Sequence, residues 1–199
     1  MRQASFLNTD EEFFSLDPDF LAPEESRQLL SSLWSQLQWS QYEITLYGRT
    51  VAQPRLSAWY GEPEASYRYS GLQLEPLPWH PILFDLKKRV EVALAHQFNS
   101  VLANAYRSGK DSMGWHSDDE PELGAKPLVA SLSLGAERRF LVRRKGESRS
   151  MGFWLGNGSL LLMKQGCQEN YLHALPKTRK PSGLRINLTF RQIRYQLPP

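Results

Sequence analysis

Hydrophobic residues recur with a helical period in two stretches of the chain. In APEESRQLLSSLWSQL, residues 22–37, leucines repeat at intervals of three and four, and Pro23 with the two acidic residues after it suits the first turn of a helix. In HPILFDLKKRVEVALAHQF, residues 80–98, apolar residues return every four positions from Ile82 to Phe98. Both spacings place apolar side chains on one face, so both stretches are predicted to be amphipathic helices that pack on a core.

After about residue 100 the pattern changes to short apolar runs separated by glycine, proline and polar turns. The runs are VLANAY, LVASLSL, RFLVRR, SLLLMK, NYLHAL and RINLTFRQI. Short strands at this spacing are typical of an antiparallel sandwich or barrel. Between the two helical stretches, the segments YEITLYGRT, AWYGEP and SYRYSG are rich in aromatic residues and indicate hairpins, with Gly48 near the tip of the first.

Composition and charge are those of a folded domain whose cations are unevenly distributed. Of the 199 residues, 41% are apolar and 23% are charged, and the formal net charge is +3. Basic residues concentrate between Arg138 and Arg149 and again between Lys177 and Arg194, whereas residues 1–26 are rich in Asp and Glu. A basic C-terminal half suits a polyanion such as nucleic acid, and a solvated basic surface explains the same pattern.

Cysteine content and hydropathy bear on the cellular compartment. Cys167 is the only cysteine in the sequence, so no disulfide can form within the chain. The opening stretch MRQASFLNTDEEFFSLD lacks the apolar run of a secretion signal, and no stretch is long enough to span a bilayer. We expect a monomeric protein of the cytoplasm, or of the nucleus in a eukaryote, that does not associate with membranes.

The stretch GWHSDDE, residues 114–120, joins one imidazole to three carboxylates. His116 and Asp118 are two positions apart and would point to one face of an extended segment. Of the other histidines, His173 lies in the late run NYLHAL, and the remaining two belong to the second helical stretch. Two imidazoles and one carboxylate are the ligand set of non-haem Fe(II) oxygenases, whereas an isolated H-x-D also occurs in exposed acidic turns.

The run RINLTFRQI, residues 185–193, alternates polar and apolar side chains. Four polar residues share one face: Arg185, Asn187, Thr189 and Arg191. An amphipathic edge strand with a wet outer face would explain this pattern. Two arginines on one face would also clamp a dicarboxylic acid, because a guanidinium binds a carboxylate through two parallel hydrogen bonds. The run VLANAY offers a matching pair in Asn104 and Tyr106.

Taken together, these motifs resemble the AlkB family of Fe(II)- and 2-oxoglutarate-dependent dioxygenases. The resemblance extends from about Arg49 to Ile193 and is carried by N-A-Y at 104–106, H-S-D at 116–118, His173 and RINLTFR at 185–191. It is strongest toward the nucleic-acid dealkylase branch, through PR at 54–55, YSGLQL, PW, HSDDE and RINLTFRQI. The family implies a double-stranded β-helix, a jelly-roll-like core, here buttressed by the two helices.

The resemblance also implies how a single domain would be divided. Residues 1–40 would form an N-terminal segment with the first helix, and residues 41–80 the hairpins that recognise substrate. Residues 81–99 would form the supporting helix. The catalytic double-stranded β-helix would occupy residues 100–195.

Three residues would, by this resemblance, ligate Fe(II): His116, Asp118 and His173. With iron, the family uses 2-oxoglutarate and O2 as co-substrates. Arg185, assisted by Tyr106, would hold the distal carboxylate of 2-oxoglutarate.

The remaining contacts to 2-oxoglutarate would come from the other polar residues of the two strand motifs. Arg191 and Asn104 would lie near the end of the molecule that chelates iron. Asn187 would complete the polar lining.

The activity that the resemblance implies is oxidative dealkylation of N-methylated bases, 1-methyladenine and 3-methylcytosine, in DNA and also in RNA. 2-Oxoglutarate and O2 are converted to succinate and CO2, and the methyl group is hydroxylated and lost as formaldehyde. The base must leave its stack for this chemistry. Tyr67 and Tyr69 would stack on it opposite His173, and Asp119 would accept hydrogen bonds from its exocyclic amine.

Further contacts to single- or double-stranded methylated DNA follow from the same resemblance. Tyr47, at the hairpin tip, would enter the duplex as a wedge where the base has left, because such wedges replace lost stacking. Arg55 would lie near the nucleic-acid backbone. The basic cluster from Arg138 to Arg149 would act as a phosphate rail with a steep salt dependence.

Two other functions are compatible with the sequence. A 2-oxoglutarate oxygenase that acts on a protein, a lipid or a small molecule would share the fold and the triad, because neither determines the substrate. The basic cluster and the Tyr47 hairpin favour nucleic acid. A non-catalytic nucleic-acid-binding module that has kept the barrel is disfavoured, because all three candidate ligands and both arginines are present.

Overall fold

The computed structural model describes residues 12–46, 48–65, 67–69, 72–180 and 182–194, with the backbone alone for residues 44–46, 67–69 and 72–74. The helices are α1 (Pro23–Gln36), α2 (Pro81–Leu94) and the short α3 (Cys167–Asn170). The first seven strands are β1 (Phe14–Asp17), β2 (Glu43–Leu46), β3 (Arg49–Ala52), β4 (Leu56–Gly61), β5 (Tyr67–Tyr69), β6 (Leu72–Leu74) and β7 (Ser100–Tyr106). The others are β8 (Met113–His116), β9 (Val129–Gly135), β10 (Arg138–Arg144), β11 (Met151–Leu155), β12 (Leu160–Met163), β13 (Tyr171–Leu175) and β14 (Arg185–Arg191).

Both amphipathic helices are confirmed, and each begins with a proline in its first turn. The second is shorter than its hydrophobic period predicts, because Ala95 adopts a left-handed conformation (φ 48°) and ends it after Leu94. Phe98 is nevertheless buried, and its ring packs 6.2 Å from that of Phe190. The apolar period therefore continues past the helix as part of the core. In the described part of the chain, no helix is both long and apolar enough to cross a bilayer.

Two antiparallel sheets form the body of the molecule, as expected for a jelly-roll sandwich. The larger has six strands in the order β1-β12-β9-β14-β7-β4, and the smaller has four in the order β11-β10-β13-β8. All six predicted runs after residue 100 are strands. The sequence reasoning missed β1, β8 and β11, which are four or five residues long and lack a run of β-branched residues.

Strand β14 lies in the middle of the larger sheet and not at its edge. It pairs with β7 on one side and β9 on the other, and all seven of its residues are buried. Its apolar residues Ile186, Leu188 and Phe190 join the core that α1 and α2 cover. Its polar residues point the other way, into the space between the sheets. The edge-strand interpretation of RINLTFRQI is therefore wrong, because β14 has a paired strand on each side and its polar face lines a cavity.

Two small hairpins precede α2, as predicted from YEITLYGRT and SYRYSG. The prediction for AWYGEP is wrong, because residues 58–61 belong to β4, which pairs with β7 in the larger sheet. Strands β2 and β3 pair from Glu43–Ala52 to Leu46–Arg49, and Gly48 turns between them with φ 76°. Strands β5 and β6 form the second hairpin, in which Tyr67 pairs with Leu74. The candidate wedge Tyr47 lies outside the described residues, and so do the side chains of the candidate stacking residues Tyr67 and Tyr69.

Candidate metal and co-substrate site

Three potential metal ligands converge between the two sheets, next to the β8 edge of the smaller sheet. Strands β8 and β13 are antiparallel neighbours that bring His116 opposite His173, and the two rings lie 4.2 Å apart. Asp118 follows two residues after His116. One ligand atom from each of the three residues lies within 4.8 Å of the others. The predicted convergence is therefore observed, across 57 residues of sequence between the two histidines.

The hydrogen bonds of the three residues leave atoms free for a cation. His116 Nδ1 lies 2.9 Å from the Gly114 carbonyl, and a proton there leaves Nε2 with its lone pair. Asp118 Oδ1 accepts a hydrogen bond from Arg191 Nη2 at 2.8 Å. Among the described residues, Asp118 Oδ2 and His173 Nδ1 are buried without a hydrogen-bond partner. Such atoms are costly unless something binds them, so this donor set fits Fe(II).

Protonation states in the cluster also suit a metal. Burial and the neighbouring His116 lower the pKa of His173 to about 3. Burial lowers the pKa of His116 as well, against the opposing effect of Asp118. Burial alone would raise the pKa of Asp118, but Arg191 and the two imidazoles outweigh it and bring the value to about 2. At neutral pH the imidazoles are uncharged and the carboxylate is ionised, as metal ligation requires.

Gln168 is a site residue that the sequence reasoning missed. It lies in α3 immediately before β13, and only 1% of its surface is exposed. Its Oε1 accepts the backbone N–H of Asp118 at 2.9 Å and lies 3.3 Å from His173 Nε2. One amide therefore bridges both segments that carry ligands. No local pattern announces this role, because it depends on a contact across 50 residues.

A polar wall extends from the triad along β14 and β7. Arg185 and Tyr106 are register partners, and the guanidinium carbon lies 5.3 Å from the tyrosine ring centre. Arg185 donates to Ser133 Oγ at 2.9 Å, while its Nε has no hydrogen-bond partner among the described residues. Burial lowers the pKa of Arg185 to about 10, which leaves the group charged at neutral pH. It is a buried cation without an acidic partner in the described chain, as a carboxylate site requires.

Asn187 and Asn104 are also register partners in this wall. Asn187 Nδ2 donates to Ser131 Oγ at 2.8 Å and to the Leu132 carbonyl at 3.1 Å. Ser131 and Ser133 were not singled out from the sequence. Their spacing of two in LVASLSL is the signal that could have placed them on the cavity face.

The cavity between the sheets contains every predicted metal ligand and every residue predicted to bind 2-oxoglutarate. Its lining is Asn104, Tyr106, Met113, His116, Asp118, Ser131, Phe140, Met163, His173, Leu175, Arg185, Asn187, Thr189 and Arg191. Phe140 stacks on His173 with ring centres 5.4 Å apart. Apolar residues thus cover one side of the triad and cations lie along the other.

Arg55 does not lie where a phosphate contact was expected. It is buried, with 5% of its surface exposed, and its Nε donates to Asn104 Oδ1 at 3.1 Å. Ser57 Oγ donates to the same oxygen at 2.7 Å. Arg55 therefore supports a residue of the co-substrate wall from behind, because strands β4 and β7 are adjacent.

Asp119 lies at the surface, next in sequence to the candidate ligand Asp118. Its carboxylate is 56% exposed and accepts hydrogen bonds from Ser117 Oγ at 2.7 Å and Lys145 Nζ at 3.1 Å. The next residue, Glu120, is half-buried. Lys145 ties the turn after β10 to the loop after β8.

The basic cluster is not a continuous rail. Arg138 is buried and donates to the carbonyls of Ser108, Asp111 and Pro176. It therefore holds loops together and is not available to a phosphate. The exposed members are Arg139, Arg144, Lys145 and Arg149, and Arg143 is half-buried.

Known proteins with a similar sequence or fold indicate the family to which this chain belongs. The family model of the 2OG-Fe(II) oxygenase superfamily matches residues 14–191. Human alpha-ketoglutarate-dependent dioxygenase alkB homolog 3 is 42% identical over 188 residues, which cover 89% of this chain and 65% of the human protein. Bovine DNA oxidative demethylase ALKBH2 is 38% identical over 159 residues, which cover 75% of this chain and 57% of the bovine protein.

The solved structure of OsALKBH1 has a TM-score of 0.64 at 18% identity, over 90% of this chain and 96% of that chain, and it supports the fold alone. This chain spans less than two thirds of the length of the human and bovine relatives. The match to the superfamily nevertheless includes all three converging residues and both arginines of β14. The chain therefore belongs to the 2OG-Fe(II) oxygenase superfamily and, within it, to the AlkB family.

Proposed function

We propose that the chain is an Fe(II)- and 2-oxoglutarate-dependent dioxygenase that removes methyl groups from the ring nitrogens of bases in DNA. The substrates are 1-methyladenine and 3-methylcytosine, and RNA that carries them is a further substrate. The names of the similar human and bovine proteins, a dioxygenase and a DNA oxidative demethylase, support this proposal.

One observation carries the enzymatic part of the proposal. The same cavity holds the triad of His116, Asp118 and His173 and the unpaired guanidinium nitrogen of Arg185. A metal would bind at one end of the cavity and a carboxylate at the other. Binding of 2-oxoglutarate requires both, because one end of the molecule chelates iron and the other end is a carboxylate. A module that only binds nucleic acid gains nothing from this arrangement, because burying an uncompensated charge costs stability.

The residues of the cavity prepare the reaction by holding and orienting. Arg185 forms the charged end for the distal carboxylate, and Tyr106 packs beside it. Arg191 donates a hydrogen bond to Asp118 Oδ1, and Asp118 Oδ2, which has no hydrogen-bond partner among the described residues, would bind the metal. Phe140 limits the entry of water next to His173.

Bound Fe(II) supplies the redox chemistry that couples O2 to the decarboxylation of 2-oxoglutarate and the hydroxylation of a methyl group. The overall balance is one 2-oxoglutarate, one O2 and one methylated base to succinate, CO2, formaldehyde and the unmodified base. No nucleophilic side chain is needed. Cys167 takes no part in this chemistry, because burial raises its pKa to about 12 and keeps it a protonated thiol.

The substrate side of the proposal involves the hairpins and the loop after β8. Tyr67 and Tyr69 are two residues apart in the sequence of β5, and both would stack on the base opposite His173. Asp119 would exchange its contact with Lys145 for the exocyclic amine of that base. Such a contact distinguishes a base with an amine from one without.

The test is a substrate panel with purified protein, iron and 2-oxoglutarate. Oligonucleotides that carry 1-methyladenine or 3-methylcytosine, in single- and double-stranded DNA and in RNA, are compared with unmodified controls. We expect formaldehyde and succinate in equal amounts with the methylated strands, and neither product without iron or 2-oxoglutarate.

Other outcomes identify the alternatives. A chain that binds iron and 2-oxoglutarate but releases no formaldehyde from any nucleic acid would be an oxygenase with a protein, lipid or small-molecule substrate. A chain that takes up no iron would not be an enzyme of this class at all. In both cases the proposal is wrong.

A further inference from the structure

Two tryptophans are exposed on the outer face of the four-stranded sheet, away from the cavity. Trp154 on β11 is 38% exposed, and Trp115 on β8 is 37% exposed. They occupy the two edge strands, and β10 and β13 lie between them. Neighbouring strands lie about 4.8 Å apart, so the two edge strands are separated by roughly 14 Å across the sheet. The mechanism of the cavity uses neither ring.

Each of these tryptophans has a cation beside it. The Arg143 guanidinium lies 4.5 Å from the centre of the Trp115 ring, and Lys180 Nζ lies 5.9 Å from that of Trp154. Arg139 is the direct register partner of Trp154 on β10. Within the described residues, none of these three cations forms an ion pair with an acidic side chain. Their charge is therefore available to an external anion.

The absence of a side chain at Gly152 lets one of the cations lie flat on the sheet. A Cβ at this position would be 2.8 Å from Arg139 Nε and 2.9 Å from Leu141 Cδ2. Arg139 thus lies across β11 at Gly152, beside Trp154, and remains exposed to solvent. Arg139 and Arg143 are four residues apart on one strand, about 13 Å, and share its outer face.

We propose that this outer face is a second contact surface for single-stranded nucleic acid, outside the cavity. Proteins that bind single strands without sequence preference combine aromatic stacking surfaces with cations for the phosphates, and guanidinium planes stack on bases as well. The face has both components in two places: Trp115 with Arg143, and Trp154 with Arg139 and Lys180. We call it the outer tryptophan face.

The inference rests on the proposed function, because it assigns a place to nucleotides on either side of the methylated one. The cavity reads one base, and the outer tryptophan face holds the strand that continues from it. The outer tryptophan face also replaces the predicted phosphate rail. It does not include the buried Arg138, and it includes two tryptophans and Lys180, which the predicted rail did not. The partner of the face is a flexible strand with unstacked bases, since a duplex has no free base faces to stack.

The experiment measures binding of a long, unmodified single-stranded oligonucleotide to the full chain by fluorescence anisotropy. We expect Trp154→Ala to weaken binding by between about fivefold and a hundredfold, the range for loss of one stacked base. Trp154→Phe should retain most of the affinity. Trp34→Ala is the matched control, because Trp34 on α1 is 40% exposed and stacks with Trp39 but lies outside this face.

A second arm tests the cations. Arg139→Gln and Arg143→Gln should each reduce the slope of log affinity against log salt by about 0.7 for a single strand. These two variants keep both tryptophans, so they test the face even if a tryptophan variant folds poorly. Far-ultraviolet circular dichroism of each variant monitors folding.

The outcomes separate this inference from the proposed function, because binding of an unmodified strand requires no turnover. Equal affinities of the parent, Trp154→Ala and Arg143→Gln would overturn the outer tryptophan face even if formaldehyde is released in the substrate panel. Weaker binding by these variants with Trp34→Ala unchanged would support the face even if no formaldehyde is released. A loss of affinity in Trp34→Ala as large as in Trp154→Ala would also overturn it, because the effect would not be specific to this surface.

Discussion

At the scale of single residues, the site is marked by polar atoms that lack partners. Oδ2 of Asp118, Nδ1 of His173 and Nε of Arg185 are buried without hydrogen bonds among the described residues, and all three face one cavity. Most buried polar atoms in proteins are satisfied. Three exceptions in one place therefore indicate missing ligands more directly than residue type does.

Replacing Gln168 should weaken metal binding without removing a ligand. In Gln168→Met the side chain keeps its length but loses the acceptor for the Asp118 N–H and the contact with His173. Loss of such supporting contacts costs about 10- to 100-fold in metal affinity. Calorimetric titration of the apo protein with Mn(II) measures the change.

Two further variants control this prediction. Gln168→Glu keeps an oxygen acceptor and should recover part of the affinity. Gln165→Met is the same exchange three residues earlier at an exposed position and should leave affinity unchanged. Equal affinities of Gln168→Met and the parent would show that this amide does not position the ligands.

The sequence predicted the three converging residues and the two arginines of β14, and it missed residues that support them. His116, Asp118, Arg185 and Arg191 follow from alternation within single strands together with the family resemblance. Gln168 and the buried role of Arg138 depend on contacts between distant segments, which no local pattern encodes. Arg55 was misplaced for the same reason.

At the scale of elements, hydrophobic period predicted both long helices and six strands after residue 100, but it missed β11, MGFWL, which also has an apolar run. Short strands escaped notice where pairing creates them: β8 is held by β13, and β1 by β12. The edge interpretation of β14 was wrong because alternation of polar and apolar residues does not tell whether the polar face meets bulk solvent or an internal cavity. Here it meets a cavity.

The β2–β3 hairpin carries a prediction about strand separation. Tyr47 precedes Gly48, the residue with positive φ in the turn, so sequence position places it at the tip. If its ring replaces stacking lost from a duplex, Tyr47→Ala should slow demethylation of double-stranded DNA more than that of single-stranded DNA. Stacking of this kind contributes on the order of a few kcal/mol per step.

The ratio of kcat/KM on the two substrates measures this effect for the parent and the variant. Tyr47→Phe should behave as the parent, because the ring is retained. An equal loss on duplex and single strand would show that Tyr47 does not act as a wedge.

At the scale of the whole molecule, the two long helices cover one face of the larger sheet, and the other face lines the cavity that contains Arg185 and Arg191. The buried charge of Arg185 destabilises the protein until a carboxylate reaches it, because a buried ion without a partner costs free energy. Ligand binding and folding stability are therefore coupled through this residue.

We expect 2-oxoglutarate with Mn(II) to raise the melting temperature of the parent substantially. At a hundredfold excess over its Kd, a ligand stabilises by about 2.7 kcal/mol, which corresponds to roughly 5–10 °C for a chain of this size. In Arg185→Met the shift due to Mn(II) should remain and the shift due to 2-oxoglutarate should be lost. Differential scanning fluorimetry with each ligand alone and with both measures these shifts.

The variant without ligand provides the control. Arg185→Met removes a buried charge and keeps an apolar side chain of similar length, so its melting temperature should equal or exceed that of the unliganded parent. A variant that unfolds more easily than the parent and still responds fully to 2-oxoglutarate would show that Arg185 supports the fold and does not bind the co-substrate.

The central position of β14 has a consequence for how the chain can change. Its odd-numbered residues from Arg185 to Arg191 serve the cavity, and its even-numbered residues from Ile186 to Phe190 serve the helix-covered core. Inserting or deleting one amino acid inside this strand would exchange the two faces for the residues that follow the change. A guanidinium group would then enter the apolar core, and an apolar side chain would enter the cavity. The register of these seven residues is therefore fixed by both of their faces at once.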